Sequence, residues 1–387
     1  MTSAADVIAA IREVVPGPAQ LHEPDLRGSE QRYVAECIES GWVSSVGAFV
    51  DRFERDLTAI TDLFAVATSN GTAALHAALR LVDVMPGDEV LSPALTFVAT
   101  TNAIAYCGAT PHFVDAETSS YGVDPGRLER HLERIAVVRE GKTVNRQTGR
   151  RLAALVCVHV FGHPCQLDEL ARIADRFELP LVEDAAEALG ATFDGTHVGH
   201  RGRVATLSFN GNKVVTTGGG GALLTRDAAL ARRAKHLTTT ARVADGFEFS
   251  HDELGWNYRM PNINAALGCA QLERLTEFLT AKRALGERYA AALSRLSDIR
   301  FVVEPPRTRS SYWLHAIVLE GALATSRDAV LAEGVRAGLG LRPVWKPMHL
   351  LPMYREAPRD SLEITESLWQ RTVNLPSSAF LGQARPS

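Results

Sequence analysis

LFAVATSNGTAALHAALRLVDVMPGDEVLSPA, residues 63–94, reads as a strand, a helix and a second strand. An apolar run at 63–68 gives way to Ser-Asn-Gly-Thr, a run of strong helix formers follows, and EVLSPA at 89–94 is apolar again. Strands that alternate with helical patterns imply parallel neighbours joined by crossovers. The pattern continues with PHFVDA at 111–116, ALVCVHVF at 154–161, PLVEDA at 180–185, ATLSFN at 205–210 and GALLTR at 221–226. Several of these runs are apolar throughout, as strands buried on both faces should be. In QLDELARIADRFEL, Leu167, Leu170, Ile173, Ala174 and Phe177 fall on one helical face. The expectation is an α/β fold: a mostly parallel central sheet with helices on both faces. Right-handed crossovers place the C-terminal strand ends on one edge, where a site should lie.

Outward from this region the texture changes. Residues 139–151, REGKTVNRQTGRR, are polar and charged and read as a surface excursion of hairpin type. A long helical pattern from Asn262 to Ser294 leads to an alternating strand SYWLHAIVL, a helix SRDAVLAEGVRAG and a strand LRPVWKP, the make-up of a small α+β domain. The expected division is an N-terminal arm over 1–30, a large α/β domain over 31–265 and a small C-terminal domain over 266–387.

Among the 387 residues, 41 basic groups face 45 acidic ones for a net charge of −4, without a Lys/Arg block, so nucleic acid is not an expected partner. MTSAADVIAAIREVV reads as a short amphipathic helix rather than an export signal. No stretch reaches the ~18 to 20 uninterrupted apolar residues of a membrane span. Cysteines 37, 107, 157, 165 and 269 are scattered and outside any CxxC pair, which fits reduced thiols. A soluble cytoplasmic protein is expected.

Polar residues gather at the expected strand ends. Gly71 and Thr72 open a helix whose free N–H groups and positive dipole end suit a phosphate, although an ordinary cap on a core helix has the same look. Glu183 and Asp184 end a strand and point to opposite faces, so one at most reaches a ligand, where a carboxylate can hold a protonated ring nitrogen. A surface acid pair is the plainer alternative. In ATLSFNGNKVVTTGGGGALL, 205–224, Lys213 stands just beyond a buried strand and before four glycines. An amine that attacks a carbonyl needs a depressed pKa, and apolar surroundings supply one. The glycines allow close approach to a ring or positive φ. A solvated lysine beside a flexible loop is the alternative. A Walker loop does not fit, because there the glycines precede the lysine. Cys157, His159, His163 and Cys165 have the residue types of a zinc site, but no second cluster completes one. Core packing and site lining fit them better, and no metal is expected.

Taken in order, NGTAAL at 70–75, GDEVLSPALTFVATTNAI at 87–104, FVDAE at 113–117, VEDAAEALG at 182–190, SFNGNKVVTTGGGG at 208–221 and GWNYRMPNINAALGCAQLERL at 255–275 resemble the DegT/StrS sugar aminotransferases. The resemblance spans nearly the whole chain. It implies a fold-type-I enzyme dependent on pyridoxal 5'-phosphate, a homodimer with active sites at the subunit interface. By matching motifs, Lys213 carries the cofactor as a Schiff base and acts as general acid and base, and Asp184 pairs with the pyridine nitrogen. Gly71, Thr72 and Ser208 hold the phosphate, Phe97 stacks on the ring, and Glu187 also belongs to the cofactor set. Asn257 reaches the phosphate of the neighbouring subunit. Arg259 and His163 are the substrate candidates, Arg259 for the carboxylate of the donor, L-glutamate.

Three departures stand out: Gly219 where many members have Glu, Glu187 in place of Gln or His, and Gln166 after GHPC. With LHEP, WVSSVGAFVDRFE, KHLTTTARV and SYWLHAIVLE, they resemble the subgroup of legionaminic acid and bacillosamine synthesis. The implied substrate is UDP-4-keto-6-deoxy-N-acetylglucosamine, aminated at C4. The alternatives are another keto-sugar nucleotide, GDP- or dTDP-linked and aminated at C3 or C4, and a non-catalytic cofactor- or sugar-binding regulator. The related sugar 3-dehydratases have His at the lysine position, and Lys213 argues against that branch.

Overall fold

The computed structural model describes residues 2–245 and 248–383. Its seven-stranded central sheet consists of β1 (Phe64–Thr68), β2 (Glu89–Pro93), β3 (Thr110–Val114), β4 (Leu152–Val158), β5 (Leu181–Asp184), β6 (Val204–Ser208) and β7 (Gly221–Thr225). The spatial order is β1-β7-β6-β5-β4-β2-β3. Strands β2 to β6 run parallel to one another, whereas β7 is antiparallel to both of its neighbours, β1 and β6. Six strands therefore share one direction, and the expectation that every C-terminal end lies on one edge fails for β7. The reversal carries the glycine run to that edge: Gly221 sits opposite Thr68 on one side and Ser208 on the other.

Strands β2, β4, β5 and β7 are buried along their whole length, which explains the apolar runs they carry, while their buried polar residues such as Glu89 and Glu183 are hydrogen-bonded. The run 154–161 does not stay extended to its end. After Val158 the chain turns through Val160–Gly162, where Phe161 takes a left-handed φ of 58°. The helix Leu167–Arg176 buries Leu167, Leu170, Ile173 and Ala174 against the sheet, with Phe177 just beyond it also buried. The helix Gly71–Leu81 leads away from β1 as its sequence implies.

The excursion at 139–151 is a hairpin, Ala136–Arg139 paired with Lys142–Asn145, turning on Glu140 and Gly141, both with positive φ. It is not wholly superficial. Thr143 and Asn145 are buried, and Asn145 and Thr148 bond to Glu89 at the start of β2. That is the edge of the sheet opposite the expected site.

The helical pattern 262–294 divides into Asn262–Leu272 and Leu275–Leu293. Arg274 leaves helical geometry (φ −106°, ψ 5°), and its guanidinium bonds to Asp25 and Glu277. The SYWLHAIVL run forms a strand only over His315–Leu319, buried at every position rather than alternating. It is central in a second sheet with Ile299–Phe301, Thr372–Leu375 and Arg342–Pro343. LRPVWKP contributes two strand residues, since Pro343 and Pro347 have no N–H to extend a ladder. The helix Ala4–Val14 joins a second apolar cluster: Val7 and Ile11 lie with Leu285, Tyr289, Ile317 and Val373. Among the described residues, no helix is long and apolar enough to cross a membrane.

Candidate active site

A cavity of about 260 Å³ opens at the sheet edge where β5 and β6 end and β7 begins. Gly71, Thr72, Phe97, Asp184, Glu187, Ser208 and Lys213, all singled out from the sequence, line it.

One wall is the start of the helix Gly71–Leu81. Asn70 caps it, its Oδ1 accepting the Ala73 N–H at 2.8 Å, which leaves the Gly71 and Thr72 N–H groups without helix acceptors. Ser208, at the end of β6, closes the same corner. A Cβ built on Gly71 would meet Ser208 Cβ at 2.8 Å, and one on Gly221 would meet the Asn70 carbonyl at 2.5 Å. Glycine at both positions lets three chain segments converge. Two free N–H groups, a hydroxyl and a helix dipole meet at this corner, an arrangement that can hold an anion.

The acids at the end of β5 separate as the alternation requires. Neither is a surface group. Glu183 turns inward, where its carboxylate accepts from the Gly199 and Arg201 N–H groups and pairs with His159 Nε2 at 3.0 Å. Asp184 turns to the cavity. Thr100 Oγ1 donates to its Oδ2 at 2.7 Å and the Ala186 N–H to its Oδ1 at 3.2 Å. Burial pushes the Asp184 carboxyl above its ordinary range, with these donors and Lys213 pulling the other way. A buried carboxylate aimed into a cavity is relieved by a cationic hydrogen-bond donor placed there.

Lys213 follows the turn at Asn210, to whose carbonyl its N–H donates at 3.0 Å. The expected apolar surroundings are only part of its setting. Its Nζ lies 3.4 Å from Glu187 Oε1 and 3.8 Å from the centre of the Trp313 ring. Glu187 is buried, its Oε2 accepting the Phe161 N–H at 2.8 Å, and desolvation pushes its carboxyl up to about 7 despite Lys213. Linkage then gives a sign. A carboxyl raised from 4.5 to about 7 on folding stabilises the apoprotein fully below pH 4.5, and this contribution is lost as pH rises through 7. In urea unfolding, the stability of the wild-type apoprotein relative to Glu187→Gln should fall by roughly 3 kcal/mol between pH 4 and 8. An unchanged difference removes this role of Glu187.

Of the four glycines, only Gly218 has a positive φ, at 76°. Gly219 lines the cavity with nothing within 4 Å of a built Cβ. Phe97 is 52% exposed at the rim, its ring 6.4 Å from that of Trp345.

Three sequence candidates stand apart from the cavity lining. His163 is fully buried, edge-on to Tyr312 at 5.2 Å with neither ring nitrogen bonded, and desolvation lowers it to about 4. His163 thus packs against Tyr312 and lies outside the cavity lining, whereas the sequence expectation places it among the substrate residues. Asn257 is exposed and accepts from Arg259 Nε at 2.9 Å. Their segment runs beside Thr239 and Thr68. The Cys157–Cys165 region packs beneath the site: the Cys165 N–H donates to His159 Nδ1 and its thiol to the Val158 carbonyl. Thr100, Trp313 and Trp345 were not singled out. Thr100 lies within the motif that gave Phe97, three residues on, and Trp313 within SYWLHAIVLE, but nothing in sequence spacing aims either at a cavity.

The matching family model, described as the DegT/DnrJ/EryC1/StrS aminotransferase family, covers residues 24–385. The chain belongs to this family. It is 38% identical over 365 residues to GDP-perosamine synthase of Caulobacter vibrioides, covering 93% of each chain. It is 36% identical over 364 residues to EpsN of Bacillus subtilis, provisionally named a pyridoxal phosphate-dependent aminotransferase, covering 93% of this chain and 90% of that one. Among solved structures, the aminotransferase TlmJ from Streptoalloteichus hindustanus superposes with a TM-score of 0.84 at 30% identity, covering 93% of this chain and 94% of that one. The protein is a transaminase of α/β fold, and its cofactor is pyridoxal 5'-phosphate. The cavity fits that group: a corner of free N–H groups that added Cβ atoms would fill, a buried carboxylate aimed at the cavity, and an amine in the same lining.

Proposed function

We propose that this enzyme moves the amino group of L-glutamate to C4 of a nucleotide-linked 4-keto-6-deoxy sugar, with Lys213 as the lysine that carries the cofactor. The observation behind this reading is the convergence of Lys213, Asp184 and the Gly71–Thr72–Ser208 cradle on one cavity. Bound there, the cofactor supplies a carbonyl for covalent attachment and a ring that takes up electrons from the carbon beside the transferred nitrogen. The Gly71 and Thr72 N–H groups and the Ser208 hydroxyl bind its phosphate. Asp184, oriented by Thr100, accepts the ring N–H and keeps that proton in place. Lys213 Nζ moves a proton as acid and base at the reacting carbon. Phe97, at the rim of the cavity, would pack against the ring.

For the sugar, the motifs that resemble the legionaminic acid and bacillosamine subgroup favour UDP-4-keto-6-deoxy-N-acetylglucosamine. The relatives named GDP-perosamine synthase, from Caulobacter vibrioides and two other bacteria, favour a GDP-linked sugar as the second reading. The protein is incubated with glutamate and, separately, UDP-, GDP- and dTDP-linked 4-keto-6-deoxy sugars. One sugar should gain an amine as 2-oxoglutarate appears in equal amount. Turnover of none of them, with glutamate still consumed in a single equivalent, would move the acceptor outside this class.

We further propose a homodimer with shared sites. Trp42 and Val46 are each 61% exposed and Leu254 is 82% exposed, apolar side chains that a partner subunit would cover. Asn257 does not line its own chain's cavity, which suits a residue that serves the partner's cradle. Mixing inactive Lys213→Ala with weakened Asn257→Ala chains should restore roughly a quarter of wild-type activity, since a mixed dimer holds one intact site of two. No gain on mixing, with subunit exchange shown by mass, would contradict site sharing.

A further inference from the structure

Lys282 lies in the helix Leu275–Leu293, outside the cavity lining, and is fully buried. Its Nζ donates to three main-chain carbonyls: Ser377 at 2.5 Å, Trp313 at 3.1 Å and, at a longer 3.5 Å, Tyr312. Among the described residues it forms no bond to a carboxylate. Burial pushes its amine well below the ordinary lysine range. A methionine would fill similar volume without that desolvation. What the lysine adds is directed N–H groups.

Those groups hold a strained piece of chain. Tyr312 has a left-handed φ of 46°, a conformation non-glycine residues keep only where their surroundings impose it. The next residue is Trp313. Its indole N–H donates to the Asn212 carbonyl at 2.6 Å, its face lies 3.8 Å from Lys213 Nζ, and its ring stacks with Trp345 at 14°. The indole beside the reactive amine is thus fixed at its ring end by Asn212 and at its main-chain end by Lys282.

We propose that Lys282 is a positioning residue of the active site: from the helix behind it, the amine holds the Tyr312–Trp313 main chain and so sets the indole against which Lys213 rests. This rests on the reading of Lys213 as the cofactor lysine. It assigns a role in the chemistry to a side chain that touches neither cofactor nor substrate. The tolerance for a misplaced group beside a reacting amine is small, so a shift of the indole should appear in rate and in the titration of the bound cofactor.

The test is a double-mutant cycle on the cofactor-loaded enzyme with Lys282→Met, Trp313→Phe and the pair, adding Lys282→Arg. The readouts are the pH midpoint of the visible absorption band, kcat and KM of the glutamate half-reaction, and near-ultraviolet circular dichroism of the apoprotein. Lys282→Met should move the midpoint by about 0.5 unit or more and lower kcat roughly tenfold with little change in KM. It should weaken the indole dichroism. Trp313→Phe should do the same, the pair should do no more than the larger single change, and Lys282→Arg should recover part of the loss. If the methionine variant does not accumulate folded, Lys282→Gln takes its place in the same cycle. An unchanged midpoint and kcat, or effects that add in the pair, overturn the proposal. Failure of borohydride to fix cofactor on Lys213 would instead overturn the reading beneath it.

Discussion

Lys213→Ala is expected to give a folded protein that lacks the absorption band of the lysine-linked cofactor and whose kcat/KM with glutamate and the keto-sugar is lower by roughly 10⁴-fold or more, because covalent attachment and proton transfer are lost together. The surroundings of Nζ make the effect specific to this lysine. Glu187 and Trp313 hold it at the cavity, and Lys213 is the only lysine in the lining. Substitution leaves the cradle of Gly71, Thr72 and Ser208 intact, so the cofactor should still bind, reversibly and without a borohydride-resistant link. Absorbance before and after reduction, with steady-state rates, checks both halves. A variant that keeps even a tenth of the activity would show that another group carries the chemistry.

Asp184→Asn should follow, with a loss of about 10² to 10³-fold in kcat, the scale seen when one preorganised electrostatic partner is removed. The amide keeps the shape and can still meet Thr100. It cannot hold a proton on a ring nitrogen as a carboxylate does, and a neutral ring is a poorer electron acceptor. Burial already pushes this carboxyl up, and a cation placed against it would favour its charged form. Cofactor affinity should fall with kcat, whereas KM for the sugar should change little. Measured kcat within threefold of wild type would place the ring nitrogen elsewhere.

Much of this architecture was legible in the residues, for identifiable reasons. Strands buried on both faces carry apolar runs, and all seven runs correspond to strands within a few residues. Gly71, Asp184 and Lys213 were readable because strand ends and helix starts are local features that the sheet then aligns, whereas Ser208 came from the family resemblance alone. Features set by tertiary packing were not readable. Apolar content does not encode strand direction, so the reversal of β7 was invisible although it brings the glycines to the cavity. His163 shares a Gly turn with groups near the site, but Phe161 and Gly162 take positive φ and the histidine ends up enclosed beside Tyr312. Trp313 and Trp345 come from the segments just before His315–Leu319 and just after Arg342–Pro343 in the second sheet, and only docking of that part against the first brings them to Lys213. The long pattern at 262–294 hid its break because Arg274, a good helix former, is drawn aside by Asp25, a partner far away in sequence.

The most direct test of the central claim is to reduce the cofactor-loaded enzyme with borohydride, digest it and locate the modified residue by mass spectrometry. The reduced cofactor should be found on Lys213, in about one equivalent per chain, and on no other lysine. Modification of a different lysine, or a colour that washes away with every lysine unmodified, would contradict it.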